Sequence, residues 1–168
     1  MTNPISPCLV ASATLLFLGG SAFAADPPST VDVLGKLHHA DQTEITMGKL
    51  AEKDGQSKQV KELGKMLVKD HTAAERKVSV LAKAEKIDLA DAGAAGMVEP
   101  PPGPEFDAKF AQMMVDAHKN DIAALTNARD STADEKLKKL LTGLLPTLQK
   151  HEDAAQKILD RQADKPHA

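Results

Sequence analysis

Four segments of the chain carry apolar residues at intervals of three and four, which is the spacing of a helix that buries one face. The first segment begins at Ser29, whose spacing to Asp32 is that of a capping box, and it ends near Asp54 and Gly55. Its inward positions are Val31, Leu34, Leu37, Ile45, Gly48 and Ala51. This pattern predicts a first helix between the two signals.

A second segment opens at Ser57 and has a regular alternation of four-residue and three-residue steps. Its positions are Val60, Gly64, Leu67, His71, Ala74, Val78 and Leu81. The alternation predicts a second helix that ends near Ile87. Because the period is closer to 3.5 than to 3.6 residues, we expect near-parallel packing against its neighbours.

The third segment starts at Pro104, a residue suited to the first position of a helix, with Glu105 and Asp107 in the first turn. Its apolar positions are Phe106, Phe110, Met113, Met114, Ala117, Ile122 and Leu125. The sequence therefore predicts a third helix that begins at Pro104.

The fourth segment follows two overlapping capping boxes in residues 131–135. Its positions are Leu137, Leu141, Leu144, Leu148, His151, Ala155 and Ile158. Pro146 lies inside this segment and is expected to bend the helix near Thr142 or Gly143.

The connection between the second and third helices, residues 88–103, is rich in alanine and glycine and runs into several prolines. The other two connections are short, and no segment has the pattern of a strand. Four helices with one long connection predict an all-α fold, a four-helix bundle with one longer crossover.

The N-terminal residues have the features of a secretory signal. An apolar run from Leu9 to Leu18 is too short to span a hydrocarbon core of ~30 Å, and Ala22-Phe23-Ala24 has the small-x-small form of a cleavage site. We expect residues 1–24 to be a signal peptide and residues 25–168 to be one domain. The expected location is the periplasm, with outer-membrane association open. Since Met1 to Pro7 contain no Lys or Arg, an uncleaved anchor is the alternative.

The amino-acid composition limits the kinds of catalytic and binding site that the protein can contain. Cys8 is the only cysteine, Trp and Tyr are absent, and the formal net charge is −3. Loss of residues 1–24 would remove Cys8, which argues against thiol catalysis, cysteine zinc sites and iron–sulfur clusters. The charge gives no attraction to nucleic acid. The sequence also lacks a phosphate loop, an HExxH pair and a Ser-His-Asp arrangement that can be placed, so hydrolytic catalysis is disfavoured, and the sequence leans away from an enzyme without excluding one.

Three histidines lie on inward faces of different helices. His71 and His151 occupy seam positions, and His118 shares a stripe with Met114 and Ile122. Side chains that converge from several helices are how bundles build metal sites. The candidate ligands are Glu44, His71, His118 and His151, with Asp70, Glu75 and Asp121 as supporting groups. A single zinc, copper or nickel ion would suit these donors.

Two alternatives bear on this interpretation. Buried histidines often serve only as hydrogen-bonding core residues. A di-iron centre would need Glu-x-x-His on two helices, and the positions three before the candidate histidines hold Val68, Val115 and Leu148, which argues against it. Of the adjacent His38 and His39, only one can face the core, and His38 is the better candidate.

The chain resembles the bacterial ferritin-like family called domain of unknown function 4142. The segments that carry the resemblance are Glu44-Ile45-x-x-Gly48-Lys49-Leu50-Ala51, Met66-Leu67-Val68-Lys69-Asp70-His71, Gly103-x-x-Phe106-Asp107, Met113-Met114-Val115-Asp116-x-His118 and Leu145-Pro146-Thr147-Leu148-x-x-His151. The resemblance implies a secreted bundle whose recurring polar positions are Glu44, Asp70, His71, His118 and His151. The position of Asp116 is offset by one from the family pattern. The role of the family is not established, so the resemblance leaves the function open.

Two functions follow as hypotheses. The first is an exported metal-binding or metal-linked stress protein, which predicts that the imidazoles converge. The second is a non-catalytic helical module of the envelope with structural core histidines, which predicts that they pair with carboxylates or backbone. The sequence does not identify a partner, which under this hypothesis is either an envelope protein or a second copy of the chain.

Overall fold

The computed structural model describes residues 28–89 and 99–163, and these form four α-helices with no strand among them. The helices are α1 (Thr30–Asp54), α2 (Lys58–Ala84), α3 (Phe106–Ser131) and α4 (Glu135–Ala163). The predicted all-α four-helix bundle is therefore confirmed. The expected signal peptide, residues 1–24, lies outside the described residues, as does the middle of the long connection.

Serine side chains cap the first two helices as predicted. The Ser29 hydroxyl accepts a hydrogen bond from the backbone N–H of Asp32 at 3.1 Å, and Ser57 accepts one from Val60 at 3.2 Å. A cap of this kind satisfies one of the backbone donors that the first turn of a helix leaves free. The end of α1 at Asp54 also agrees with the prediction.

The starts of α3 and α4 differ from the predictions. Helix α3 begins at Phe106, two residues after Pro104, and Glu105 makes no capping bond with its side chain. At α4, Asp134 supplies the cap, because its Oδ1 accepts from the N–H groups of Lys136 and Leu137. Ser131 is not available for this, since it is the last residue of α3 and its hydroxyl donates back to the carbonyl of Asn127.

The end of α2 at Ala84 is earlier than the predicted position near Ile87. Lys86 has a φ of 58°, in the left-handed region, which stops the helix. The N–H of Lys86 donates to the Lys83 carbonyl at 3.2 Å, and the N–H of Ile87 donates to Ala82 at 2.8 Å. This pair of bonds is a Schellman motif with lysine where glycine is usual.

Two apolar clusters fill opposite ends of the bundle. One contains the start of α1, the end of α2, the end of α3 and the start of α4. The other contains the opposite end of each helix: the end of α1, the start of α2, the start of α3 and the end of α4. Helices α2 and α3 therefore run in the same direction, so the end of α2 and the start of α3 lie at opposite ends of the bundle. Helix α1 packs on α2, α3 packs on α4, and α2 also packs on α4.

Helices α1 and α2 approach each other closely at two glycines. A Cβ atom on Gly64 would lie 2.5 Å from the Gly48 carbonyl, and one on Gly48 would lie 2.7 Å from the Gly64 carbonyl. Neither position has room for a side chain, because backbone atoms on the opposite helix occupy the space.

Among the described residues, no helix has an apolar stretch of the length that would cross a membrane.

Candidate functional site

A layer of polar side chains separates the two apolar clusters. On α2, His71 lies between Leu67 in one cluster and Ala74 in the other. His151 on α4 has the same relation to Leu148 and Ala155. His118 on α3 follows Met114 and Val115 of one cluster and precedes Leu125 of the other. The layer is therefore built at one level of the bundle by the seams of different helices.

The three histidines converge. One ring nitrogen from each of His71, His118 and His151 lies within 4.8 Å of the other two. His71 is 4% exposed, and His118 and His151 are 0% exposed. The ring centroid of His151 lies 5.2 Å from the centroid of His71 and 5.2 Å from the centroid of His118. The convergence predicted from the seams is confirmed, whereas metal binding itself stays a prediction.

Each imidazole is oriented by a neighbouring acceptor. Nδ1 of His71 lies 2.7 Å from Oδ1 of Asp41, and Nδ1 of His118 donates to the Met114 carbonyl at 2.9 Å. Nε2 of His151 lies 3.2 Å from Oδ2 of Asp70. Such contacts fix the tautomer and leave the other nitrogen of the ring free as an acceptor or ligand.

Neutral rings cannot satisfy the contact between His118 and His151 and the contact between His151 and Asp70 at the same time. Nε2 of His118 lies 3.2 Å from Nδ1 of His151. The bond to Met114 places the single proton of His118 on Nδ1, so Nε2 is an acceptor. If the proton of His151 points to the Asp70 carboxylate, two nitrogen lone pairs face each other. If it points to His118, a lone pair faces the carboxylate instead.

Burial keeps these histidines neutral. Loss of solvent lowers the pKa of His71, His118 and His151 to about 4, and for the last two the neighbouring histidines add to the effect. Asp70 acts in the opposite direction on His71 and His151. Protonation of any of the three neutral rings is therefore unfavourable at pH 7, and the rings present the neutral form that metal ions require.

Helix α1 contributes two buried acids to the layer. Asp41 is 3% exposed and Glu44 is 5% exposed, and burial raises the pKa of each to about 8. Oδ2 of Asp41, Oε2 of Glu44 and Nε2 of His71 are buried with no hydrogen-bond partner. Three buried polar atoms thus lack a hydrogen-bond partner, which is unusual in a folded core.

The sequence prediction for α1 was partly wrong. Val31 is 56% exposed, and Ile45 is half-buried, whereas Asp41 and Glu44 face the core. Asp41 was not among the predicted residues. The signal was present in the spacing, because steps of three and four pass through Leu34, Leu37, Asp41, Glu44, Gly48 and Ala51.

The remaining candidate residues lie in different places. Glu44 is buried nearby but does not belong to the group within 4.8 Å. Asp70 contacts His151 as a supporting acceptor. Glu75 instead accepts from Nδ1 of His38 at 2.8 Å, and His38, as predicted, faces the core. Asp121 raises the pKa of Glu44, and burial raises its own pKa to about 6.

The fold and the layer define a four-helix bundle with three converging histidines in its core. Residues 19–158 match the family model described as Domain of unknown function (DUF4142), and the chain therefore belongs to that family. No curated protein and no solved structure shows significant similarity to the chain.

Proposed function

We propose that the protein binds one divalent transition-metal ion through His71, His118 and His151. The observation that supports this most directly is the contact between His118 and His151, because neutral rings that donate to Met114 and Asp70 leave two nitrogen lone pairs facing each other at 3.2 Å. A cation accepts both lone pairs at once. Two nitrogen ligands of a tetrahedral zinc ion, at 2.0–2.1 Å each, lie about 3.4 Å apart, so the pair is already close to the required spacing.

The surroundings of the three rings suit an ion as well. Asp41, the Met114 carbonyl and Asp70 hold the non-ligating nitrogens, as acceptors around metal-bound histidines usually do. Three neutral imidazoles carry no charge to balance a divalent ion. Asp41 and Glu44 can supply it by losing protons when the ion binds. Glu44 thus acts by charge in this proposal and not as a direct ligand.

The ligand atoms narrow the choice of metal. Three imidazoles suit zinc, copper or nickel, and they leave one position of a tetrahedral ion to water or another molecule. Met114 gives its backbone carbonyl to His118 and packs its side chain in an apolar cluster, so we assign its sulfur no ligand role.

Metal content tests the proposal. The protein is purified without an affinity tag or chelator, and its metal is measured by mass spectrometry beside a His71→Ala/His151→Ala variant. The matched control is His38→Ala, which removes another core histidine that bonds Glu75 away from the three converging rings. We expect about one ion per chain in the wild type and the control, and none in the double variant.

The contrary result is equally informative. If the wild type holds no ion and takes up none from added zinc, copper or nickel, the metal proposal is wrong. The hydrogen bonds to Asp41, Asp70 and Met114 would then make the histidines structural. In that case the protein would be better described as a helical interaction module of the envelope.

We also propose that the protein is exported and cleaved after Ala24. The apolar run from Leu9 to Leu18 and the small residues at 22 and 24 support this. The intact mass of the protein recovered from the periplasm should correspond to a chain that begins at Ala25. A Leu15→Arg variant should stay in the cytoplasm at full length. Recovery of an uncleaved periplasmic chain would instead indicate an anchor.

A further inference from the structure

A cavity of about 520 Å³ opens among the four helices beside the histidine layer. Its apolar walls include Leu37 of α1, Ala74 of α2, Leu125 of α3 and Leu148 of α4. The volume falls within the range of small-molecule sites, and the walls have the mixed apolar and polar character that such sites show.

The cavity has acids inside and bases at its rim. Asp41, Asp70 and Asp121 line it, and none of them is exposed. The two lysines that line it, Lys36 and Lys77, are both exposed. Long lysine side chains keep the ammonium group in water, so they do not neutralise the interior. The inner part of the cavity is therefore a site for positive charge.

One of these acids is incompletely bonded. Oδ1 of Asp41 lies 2.7 Å from Nδ1 of His71, and its Oδ2 is buried without a partner. A buried polar atom without a partner is costly, and a ligand that brings N–H groups to this oxygen would remove that cost. Asp121 adds a second carboxyl group to the same cavity. Its pKa of about 6 leaves it mostly ionised at pH 7.5.

We propose that this cavity binds a small organic cation, a protonated amine on a compact apolar body. The ammonium group donates to Asp41 and Asp121, and the apolar body lies against Leu37, Leu125 and Leu148. Charge-assisted bonds of this kind are the stronger class of hydrogen bond, and they favour a cation over a neutral ligand of the same shape. The proposal does not depend on the metal, because Asp41 and the cavity walls are present in the metal-free protein.

Three probes of matched shape test the charge requirement. Cyclohexylmethylamine, cyclohexylmethanol and cyclohexanecarboxylate are titrated into the chelator-treated full chain at pH 7.5, and binding is measured by calorimetry. We expect the amine to bind with a Kd below about 1 mM, the alcohol to bind about tenfold more weakly, and the carboxylate to bind least.

Two variants test the location. Asp121→Asn removes a charge from the cavity and should weaken amine binding about tenfold, with little effect on the alcohol. Asp116→Asn removes a charge from the same helix at an exposed position outside the cavity lining, and it should leave binding unchanged. Ala124→Phe places a ring at an exposed wall position and should weaken both ligands. Thermal melts confirm that each variant is folded.

Several outcomes would overturn the proposal. Equal binding of the alcohol and the amine would mean that the cavity recognises shape alone. Equal weakening by Asp121→Asn and Asp116→Asn would mean that the amine responds only to net charge. Absence of amine binding at millimolar concentration would remove the cation site altogether. None of these results bears on metal content, so failure here is distinct from failure of the metal proposal.

Discussion

Nδ1 of His71 lies 2.7 Å from Oδ1 of Asp41, and this contact joins α2 to α1 in the buried centre of the bundle. When Asp41 is ionised, as the proposed ion requires, it accepts this bond, so the proton of His71 lies on Nδ1 and Nε2 is left as a free acceptor. Asp41 therefore orients a ring that the proposed metal would use without touching the ion itself.

Removal of Asp41 should weaken metal binding without abolishing it. In Asp41→Ala the three imidazoles remain, but His71 loses the acceptor that fixes its tautomer. Loss of such a partner typically lowers metal affinity about 10–100-fold. Competition with a chromogenic chelator measures the change. Glu75→Ala is the control, because that carboxylate bonds His38, and an equal loss of affinity there would contradict the role of Asp41.

The metal-free protein should lose stability between pH 6.5 and pH 8. Burial raises the pKa of Asp41 and Glu44 to about 8, so the folded state holds protons that the unfolded state has released. Their contribution is complete below the unfolded pKa and is lost as pH rises through the folded pKa. We expect a decrease on the order of 1–3 kcal/mol, measured by urea denaturation in chelator.

The histidines shift stability in the opposite direction at lower pH. Their pKa values fall to about 4, so their contribution is present above pH 6.5 and is lost as pH falls toward 4. They contribute little between pH 7 and pH 8, where the unfolded chain has also released most of its histidine protons. The Asp41→Asn/Glu44→Gln variant should be flat across that interval. An unchanged slope in this variant would show that other groups titrate there.

The close approach of α1 and α2 predicts opposite effects for two glycine substitutions. Gly64→Ala puts a Cβ 2.5 Å from the Gly48 carbonyl and should destabilise the fold by about 1–3 kcal/mol. Gly143→Ala is the matched control on α4, where a Cβ meets no atom within 4 Å and the higher helix propensity of alanine should stabilise by about 1 kcal/mol. Chemical denaturation compares them. A neutral Gly64→Ala would mean that the helices separate readily at this point.

The end of α2 predicts a stabilising substitution. Lys86 has a φ of 58°, which costs an ordinary residue more than glycine. Lys86→Gly should therefore raise the free energy of unfolding by about 1 kcal/mol. Lys83→Gly, inside the last turn of α2, should lower it by a similar amount. Stabilisation by both substitutions would indicate an effect of charge and not of backbone conformation.

The helix seams were predictable because burial repeats with the helical period. All seven predicted positions of α4 are buried, and so are six of the seven in α2, with Leu81 half-buried. The same periodicity placed His71, His118 and His151 inside the bundle. It fixes the direction of a side chain, and direction was enough to predict that these three would meet.

Partners and helix starts were less predictable. Asp41 interrupts the apolar pattern of α1, so a search for apolar residues missed it and placed Ile45 and Val31 inward. Glu75 was expected to support the histidines, but its bond to His38 depends on how α1 and α2 are aligned. Similarly, Asp107 was expected to act on its own helix, whereas its carboxylate accepts from the backbone of Gln56 and Ser57 in the turn between α1 and α2.

The position of the polar layer between two apolar clusters also fixes how the helices align. If α4 slid by one turn, His151 would lose His118 and Asp70 and would be buried among leucines. A similar slip of α2 would separate His71 from Asp41 and leave the acid alone in the core. Apolar side chains tolerate such shifts, since one leucine can replace another, but a hydrogen-bonded layer does not. The layer therefore gives the bundle a single register, whether or not an ion is bound.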